Sequence, residues 1–431
     1  MTDDDGKPVK SPNHPGEKRF KAQFDYYEQT PNELGELVDG KRHVATKFIW
    51  AKTLHGAREI FEAWREEKVA SMTDTPPEVK VATVGALTEW YIAARATGEV
   101  GQGRKPAEKS TLSYYESMAK HLKQHGGGIW GLPLATITTD QADAWAQAMR
   151  KDGLSDVTAN KALKFAKAVF TAGTKKGITD RNPLIAVEGF THRTPSPNPL
   201  SVPIAHRLYE AINKEKDSNI GTAAALALFA GLRQEEVCGL RWLDLDNENG
   251  LMRIRFAIGR TGSGTNGETY LKETKNESSD RKVPVSKPLS ALLKRHMQSA
   301  ISDCMRAGIP FNPNNYILGD LNGNWWNPHE LGREWRGVAQ FLELKGIEGK
   351  RATFHDLRKT FASIVDDVTG HDQKTIHALL GHADTNVTQQ SYIGKGLETL
   401  RNATDKTAEA ICGYEPEQAQ LMEFPATGAG A

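Results

Sequence analysis

Four prolines fall within the thirteen residues of THRTPSPNPLSVP, Thr191 to Pro203. Proline has no backbone N–H and a fixed φ, so neither a helix interior nor a central strand runs through such a segment. The 431-residue chain is therefore expected to fold as separate bodies on either side of an extended linker, 191–203. A second break, TDTPPE (Thr73 to Glu78), sets off a smaller piece in front of them.

The polar first eighteen residues are expected to be disordered. In 19–72, RFKAQFDYY (Arg19 to Tyr27) and KRHVATKFIW (Lys41 to Trp50) are rich in aromatic and β-branched residues and predict short strands, followed by a helix over Ala57 to Val69. From 79 to 190 four helical segments each begin at Ser, Thr or Asp and end near Gly, with Ser110 as one N-cap. The body from 204 to 402 opens with helices through TAAALALFAGLRQEEVCGL. It offers strands at Leu251 to Phe256, Thr269 to Thr274 and Arg281 to Val285, then returns to helix. The expected class is a multidomain, mainly α chain: a small sheet plus helix, a helical domain, and an α+β domain with a small antiparallel sheet.

Charge narrows the function. The net formal charge of +1 argues against a generic nucleic-acid binder. Locally, Lys80 to Arg181 holds fifteen Lys and Arg against nine Asp and Glu, a surplus of six. Lys161, Lys164, Lys167 and Lys175 recur there at roughly helical spacing, which would lay a basic ridge along a phosphate backbone; the plainer account of any one of them is a solvated surface. The tail from Gly413 has three Glu and no base. Three scattered cysteines form no framework, the histidines show no zinc spacing, and no cofactor or metal is expected. With no apolar leader at the start and no membrane-length run, the chain is expected in the cytosol.

Four islands in the last domain carry possible chemistry. GLRQEEVCGLRWLDLD sets Arg233 and Glu236 three apart on a helix; a salt bridge explains that pair by itself. LKETKNESSDRKVPV begins a polar turn at Lys275, with Lys272 as the alternative because strand alternation leaves the facing residue open. TFHDLRKTFAS places His355 and Arg358 side by side on a helix. ALLGHADTNVTQQSYIG supplies His382 and, ten residues on, Tyr392. A lone His or Tyr is more often a satisfied, half-buried residue than a catalyst. Together the islands hold five cationic or hydrogen-bonding donors and one oxygen nucleophile, with no carboxylate pair or Gly-rich phosphate loop beside them. Such a set suits a phosphodiester, whose non-bridging oxygens two guanidiniums can clamp with charge-assisted hydrogen bonds.

In this order, GLRxEEvxgLRWxDiD, HDLRkTFAS, LLGH and the later Tyr392 resemble the tyrosine recombinases, also called phage integrases. The likeness runs from about Val81 to Arg401. It implies a helical core-binding (SAM-like) domain at 79–190 and a catalytic domain at 204–402. It also implies metal- and ATP-independent strand exchange on double-stranded DNA by a homo-tetramer, which DNA-bending accessory proteins could assist. Carried over, Tyr392 attacks the scissile phosphate and forms a 3′-phosphotyrosyl bond. Arg233 and Arg358 hold phosphoryl oxygens, Lys275 protonates the 5′ oxygen, His355 assists at the tyrosine, His382 bonds the phosphate and Glu236 braces the Arg233 helix. The family tyrosine usually follows the LxGH histidine by nine positions, and Tyr392 follows His382 by ten, which calls for a one-residue bulge; a second GH pair, Gly370 and His371, lacks the preceding leucines.

By the same resemblance 19–72 is expected to bind arm-type DNA sites, and 403–431 to combine an exchange segment with an acidic tail. The exchange helix is expected over Gly396 to Ile411. The sheet-plus-helix unit, which Xer-type chains usually lack, favours a mobile-element integrase over a Xer-like dimer resolvase; the plainer account of that unit is a packing or protein-contact module. A non-catalytic DNA-binding protein predicts a lost catalytic side chain, and none of the six is missing. An enzyme using HxxR on a small phosphorylated substrate leaves the Lys-rich helical domain unexplained.

Overall fold

The computed structural model describes residues 18–31, 37–73, 83–125, 128–193, 195–215, 217–262, 267–273, 280–381 and 395–413. Strands β1 (Lys18–Pro31) and β2 (Leu37–Ala51) form an antiparallel pair with Phe20 opposite Ile49 and a register shift between Tyr27 and Gln29. Helix α1 (Leu54–Thr73) lays Ala57 and Phe61 on Phe20, Ile49 and Ala51. This is the expected sheet plus helix, with longer strands than the sequence suggested.

The second body has the four expected helices: α2 (Val84–Thr97), α3 (Lys109–Gln124), α4 (Thr139–Lys151) and α5 (Asp156–Lys175). Thr83, Thr138 and Ser155 cap α2, α4 and α5 by accepting backbone N–H groups of the first turn, which satisfies donors a helix start leaves open. Helix α3 differs. Its cap position is Glu108, whose side chain makes no capping bond, and Ser110 lies inside the first turn. Leu87, Leu122, Trp145, Met149 and Phe170 fill the core between the helices.

The proline-rich segment hands over to the third body before its end. Asn198 is buried, its amide donating to the Lys350 carbonyl at 2.9 Å and accepting from the Glu348 N–H at 2.9 Å. Leu200 N–H donates to Thr360 Oγ1 at 2.8 Å, so the chain is anchored ahead of α6 (Val202–Lys214).

The third body is built round α7 (Asn219–Ala230), every residue of which from Ile220 onward is buried. A helix apolar on all sides has to be a core helix. Around it stand α8 (Gln234–Gly239), α9 (Lys287–Ala307), α10 (Pro328–Phe341), α11 (Phe354–Val368), α12 (Gln373–Leu380) and α13 (Lys395–Cys412). The helices expected through Leu240 are α7 and α8, divided where Gly231 ends α7 in the left-handed conformation at φ 64°. Arg233 consequently stands at the N-cap of α8 rather than within a helix.

Strands β3 (Leu245–Asp246), β4 (Leu251–Ile254) and β7 (Arg281–Pro284) make one antiparallel sheet in the order β3-β4-β7. Strands β5 (Phe256–Arg260) and β6 (Thr269–Glu273) make a separate antiparallel pair. The run expected as one strand from Leu251 to Phe256 thus divides at Arg255, whose Nε turns aside to the buried Asp244 carboxylate at 2.8 Å. Helix α13 lies on its own body, burying Leu400, Ala403, Ala408 and Ile411, and the expected boundary at 402 falls within it. No helix among the described residues is long and apolar enough to cross a membrane.

At Gly231 the fold admits no side chain. A Cβ there would lie 2.5 Å from Phe361 Cδ1 and 2.9 Å from Leu380 Cδ2. Gly231→Ala is expected to destabilise the third body by about 2 kcal/mol through strain and overpacking. Urea unfolding followed by tryptophan fluorescence measures it, and an unchanged midpoint would contradict this account.

Candidate active site

Gly231 carries the backbone from α7 into α8 with its carbonyl turned toward α11, and this sets where the arginines meet. Arg358, on the first turns of α11, is buried; it donates through Nη1 to the Gly231 carbonyl and through Nη2 to the Leu380 carbonyl at 2.7 Å. The two oxygens belong to the C-terminal ends of α7 and α12, where unpaired carbonyls and the helix dipole favour a cation. Helix α11 itself starts at a capping box, with Thr353 N–H and Oγ1 donating to Asp356 at 2.8 and 2.6 Å.

One carboxylate organises the cluster. Glu236 is buried and accepts from Arg233 Nη1 at 2.8 Å and from the Arg233 N–H at 2.9 Å. Arg281 grips it from β7 with a two-pronged bond, Nη1 at 3.1 Å and Nη2 at 2.9 Å, and Arg281 Nε donates to the Leu379 carbonyl at 3.0 Å. Arg358 Nη1 stands 3.9 Å from the same carboxylate. Burial pushes the Glu236 carboxyl up, but the charges and hydrogen bonds of Arg281 and then Arg233 outweigh it and hold the group down at about 2.

The cluster is short of negative charge. Three guanidiniums share one carboxylate. For Arg358, burial and then the repulsion of Arg233 and Arg281 prevail over the attraction of Glu236 and pull it down to about 9. It remains protonated at neutral pH, in an environment that favours arrival of an anion. Arg281 and Arg358 side chains are each 4 % exposed and Arg233 is 39 % exposed, so Arg233 is the member that meets solvent. Its Nη2 lies 3.5 Å from the carbonyl of Gly381, the residue bonded to His382.

His355 stands on the exposed side of α11's first turn. Crowding by surrounding protein, then the charges of Lys359, Arg358 and Arg233, keep its imidazole below the ordinary value of 6.5. It is therefore neutral at pH 7 and able to take a proton.

The structure brings together four of the expected residues, Arg233, Glu236, His355 and Arg358. Lys275, His382 and Tyr392 lie outside the described residues. Lys272, the alternative lysine, is paired with Glu235 at 2.5 Å. His371 adopts a positive φ of 67° and bonds Asp366 at 2.8 Å in the turn after α11, a structural position. On α5, Lys161, Lys164 and Lys175 are exposed, whereas Lys167 donates to the Val187 carbonyl at 2.6 Å and serves to hold the chain after α5. The residue sequence reasoning missed is Arg281. Its signal was available: alternation along RKVP puts Arg281 on the same face as Val283, and a charge on a buried strand face requires a partner.

Comparison with known proteins places this cluster in context. Residues 204–396 match the Phage integrase family. A XerC-like tyrosine recombinase of Caldanaerobacter subterraneus subsp. tengcongensis is 25% identical over 305 residues, 68% of this chain and 75% of that protein. Tyrosine recombinase XerC of Thermodesulfovibrio yellowstonii is 29% identical over 258 residues, 59% of this chain and 77% of the relative. Among solved structures, the Tn1549 transposon integrase in complex with a circular intermediate DNA has the same fold. Its TM-score is 0.55 at 22% identity, over 74% of this chain and 99% of that one.

The depressed Glu236 carboxyl has a definite pH signature. Its contribution to stability is fully present above the unfolded value of 4.5 and is lost as pH falls toward its folded value of about 2. Glu236→Gln, neutral at every pH, is expected to lose on the order of 3 kcal/mol at pH 7 by leaving Arg281 unpaired, and to narrow the gap to the parent as pH falls from 5 to 3. Denaturant unfolding at both pH values measures the gap; a gap independent of pH would refute the assignment.

Proposed function

We propose, for a chain that belongs to the phage integrase family of tyrosine recombinases, that the arginine cluster is the phosphate seat of its DNA-cutting centre. The enzyme is a site-specific recombinase that cuts and rejoins DNA strands through a 3′-phosphotyrosyl link. The observation that carries the assignment of residues is the charge imbalance: three guanidiniums round one buried carboxylate, with Arg233 open to solvent. A phosphodiester supplies the missing anion, and the five oxygens of its transition state carry more charge to be met than its ground state.

In this reading the Tyr392 oxygen attacks phosphorus while the bond from phosphorus to the 5′ oxygen breaks. The phenol, with an ordinary pKa of about 10, gives up its proton to the neutral imidazole of His355. Lys275 hands a proton to the leaving 5′ oxygen, and His382 donates a hydrogen bond to the phosphate. Arg233 and Arg358 hold the non-bridging oxygens, and Glu236 with Arg281 keeps the two guanidiniums apart and aimed. The phosphodiester energy is conserved in the tyrosyl ester, so a free 5′ hydroxyl can reverse the step on another strand.

Two sites cut in concert call for a homo-tetramer on double-stranded DNA, with DNA-bending proteins as further partners, acting where the cell's DNA lies, in the cytosol. Exchange of C-terminal segments would require α13 to leave the seat it occupies on its own body. Exposed Lys161, Lys164 and Lys175 would follow the DNA backbone, and 79–190 and 204–402 would close from opposite faces. The β1–β2–α1 unit favours a mobile-element integrase with arm-site binding over a dimer resolvase.

Tyr392→Phe is expected to abolish covalent adduct on a nicked duplex selected by the protein from a random pool, while binding changes less than about twofold, since a lone hydroxyl adds little to a salt-driven interface. Gel analysis of adduct beside a filter-binding titration tests this, and residual adduct would sink it. Single-turnover cleavage should fall on the acid side with a midpoint below the ordinary histidine value, because only neutral His355 accepts the proton; a midpoint above 6.5 would count against that role.

A further inference from the structure

Helix α3 begins without a capping side chain, yet its first turn is not left open. The Ser110 N–H donates to the hydroxyl of Tyr270 on β6, at 3.0 Å across 160 residues of sequence. Lys109 Nζ lies 5.6 Å from the centre of the same ring. Nearby, Gly262 N–H at the end of β5 donates to Ser113 Oγ at 2.7 Å. The helical body and the third body therefore meet at two bonds between the start of α3 and the β5–β6 pair.

That pair is joined closely to the arginine cluster. Tyr270 faces Gly259 in the register, and its ring lies where a side chain at 259 would be: a Cβ there would sit 2.7 Å from Cζ. Two residues on, Lys272 pairs with Glu235 of α8. At the other end of α8, a Cβ on Gly239 would come within 2.9 Å of the Phe256 carbonyl oxygen and the Ala257 Cα on β5. Backbone against backbone leaves no slack, so the β5–β6 pair and α8 move as one piece. Arg233 is the N-cap of α8, and Glu236 lies in its first turn.

We infer that Tyr270 is a positioning residue which couples the seating of the helical body to the aim of Arg233. When α3 docks on the Tyr270 hydroxyl, the β5–β6 pair is held in place, and through Lys272–Glu235 and the Gly239 contact it fixes the start of α8. The inference rests on the reading of Arg233 as a phosphate ligand. It goes beyond that reading in assigning to a residue remote from the phosphate a part in the chemical step.

The test uses the full chain with Tyr270→Phe, which keeps the ring over Gly259 and removes only the hydroxyl, and Ser113→Ala, which weakens the same contact from the other side. Each is assayed for equilibrium binding and single-turnover cleavage on the selected duplex, and again on a duplex whose scissile phosphate is a methylphosphonate. Replacing a charged oxygen by methyl removes the charge a guanidinium must meet, so a defect in aiming Arg233 disappears on that substrate. Tyr270→Phe is expected to cleave the phosphodiester about five- to tenfold more slowly, the scale of one hydrogen bond, with binding unchanged within about twofold. On the methylphosphonate it should match the parent. Equal slowing on both substrates, no slowing on either, or binding lost in proportion would overturn the coupling. Arg233→Ala is the control: if methylphosphonate fails to rescue it, the phosphate role of Arg233 falls and the coupling with it; if it is rescued and Tyr270→Phe is not, the coupling alone fails.

Discussion

The buried carboxylate of Glu236 is the point on which the third body turns. Without it Arg281 and Arg358 would be two cations, each 4 % exposed, with nothing but carbonyl dipoles to meet them. With it, α8, β7 and α11 are tied at one spot, and the C-terminal ends of α7 and α12 contribute the carbonyls of Gly231, Leu379 and Leu380. Buried ion pairs are weak contributors to stability when compared with well-packed apolar side chains, because desolvation offsets the attraction. Their value here is geometric: five elements from three separate stretches of the sequence are held in one arrangement.

Much of this was legible in the sequence where a function and its support sit within one turn of helix. Arg233 with Glu236, and His355 with Arg358, are local pairs, and the structure keeps both pairs together. What the sequence concealed depends on contacts between distant segments. Alternation along RKVP puts Arg281 on the buried face, but its partner stays unidentified until Glu236 is known to lie beneath it. The break between α7 and α8 follows from a single left-handed glycine inside a strongly helical pattern. Because of that break Arg233 leaves the helix axis and points into the site rather than along a helix surface.

Ser110 teaches the same lesson in reverse. A serine ahead of a periodic apolar run satisfies the local rule for an N-cap, and the four-helix count came out as expected. The cap position nevertheless falls at Glu108, and the orphan N–H of Ser110 is satisfied by a phenol from another body. Local propensity decides that a helix forms there; a tertiary partner 160 residues away decides how its first turn is completed. Lys167 shows the limit of reading charge by spacing alone, since a lysine on a helical repeat is spent on the Val187 carbonyl while its neighbours stay in solvent.

The charge imbalance also explains why the arginines are built as they are. Arg281 takes both oxygens of Glu236 and leaves the carboxylate little to offer Arg358, which stands 3.9 Å away and turns to backbone carbonyls instead. A site in which every cation had its own carboxylate would be more stable and would hold phosphate poorly, because each carboxylate would repel the incoming anion. One carboxylate for three guanidiniums is enough to fix their positions and too little to neutralise them. Burial is the larger part of the pull on Arg358 down to about 9, and the residual repulsion of Arg233 and Arg281 adds to it. An anion drawn against Arg233 relieves it most when its own charge is greatest. On the proposal that the cluster seats a phosphate, the strain stored in assembling it would be released in the direction of the transition state, which is the sense in which a preorganised site accelerates a reaction.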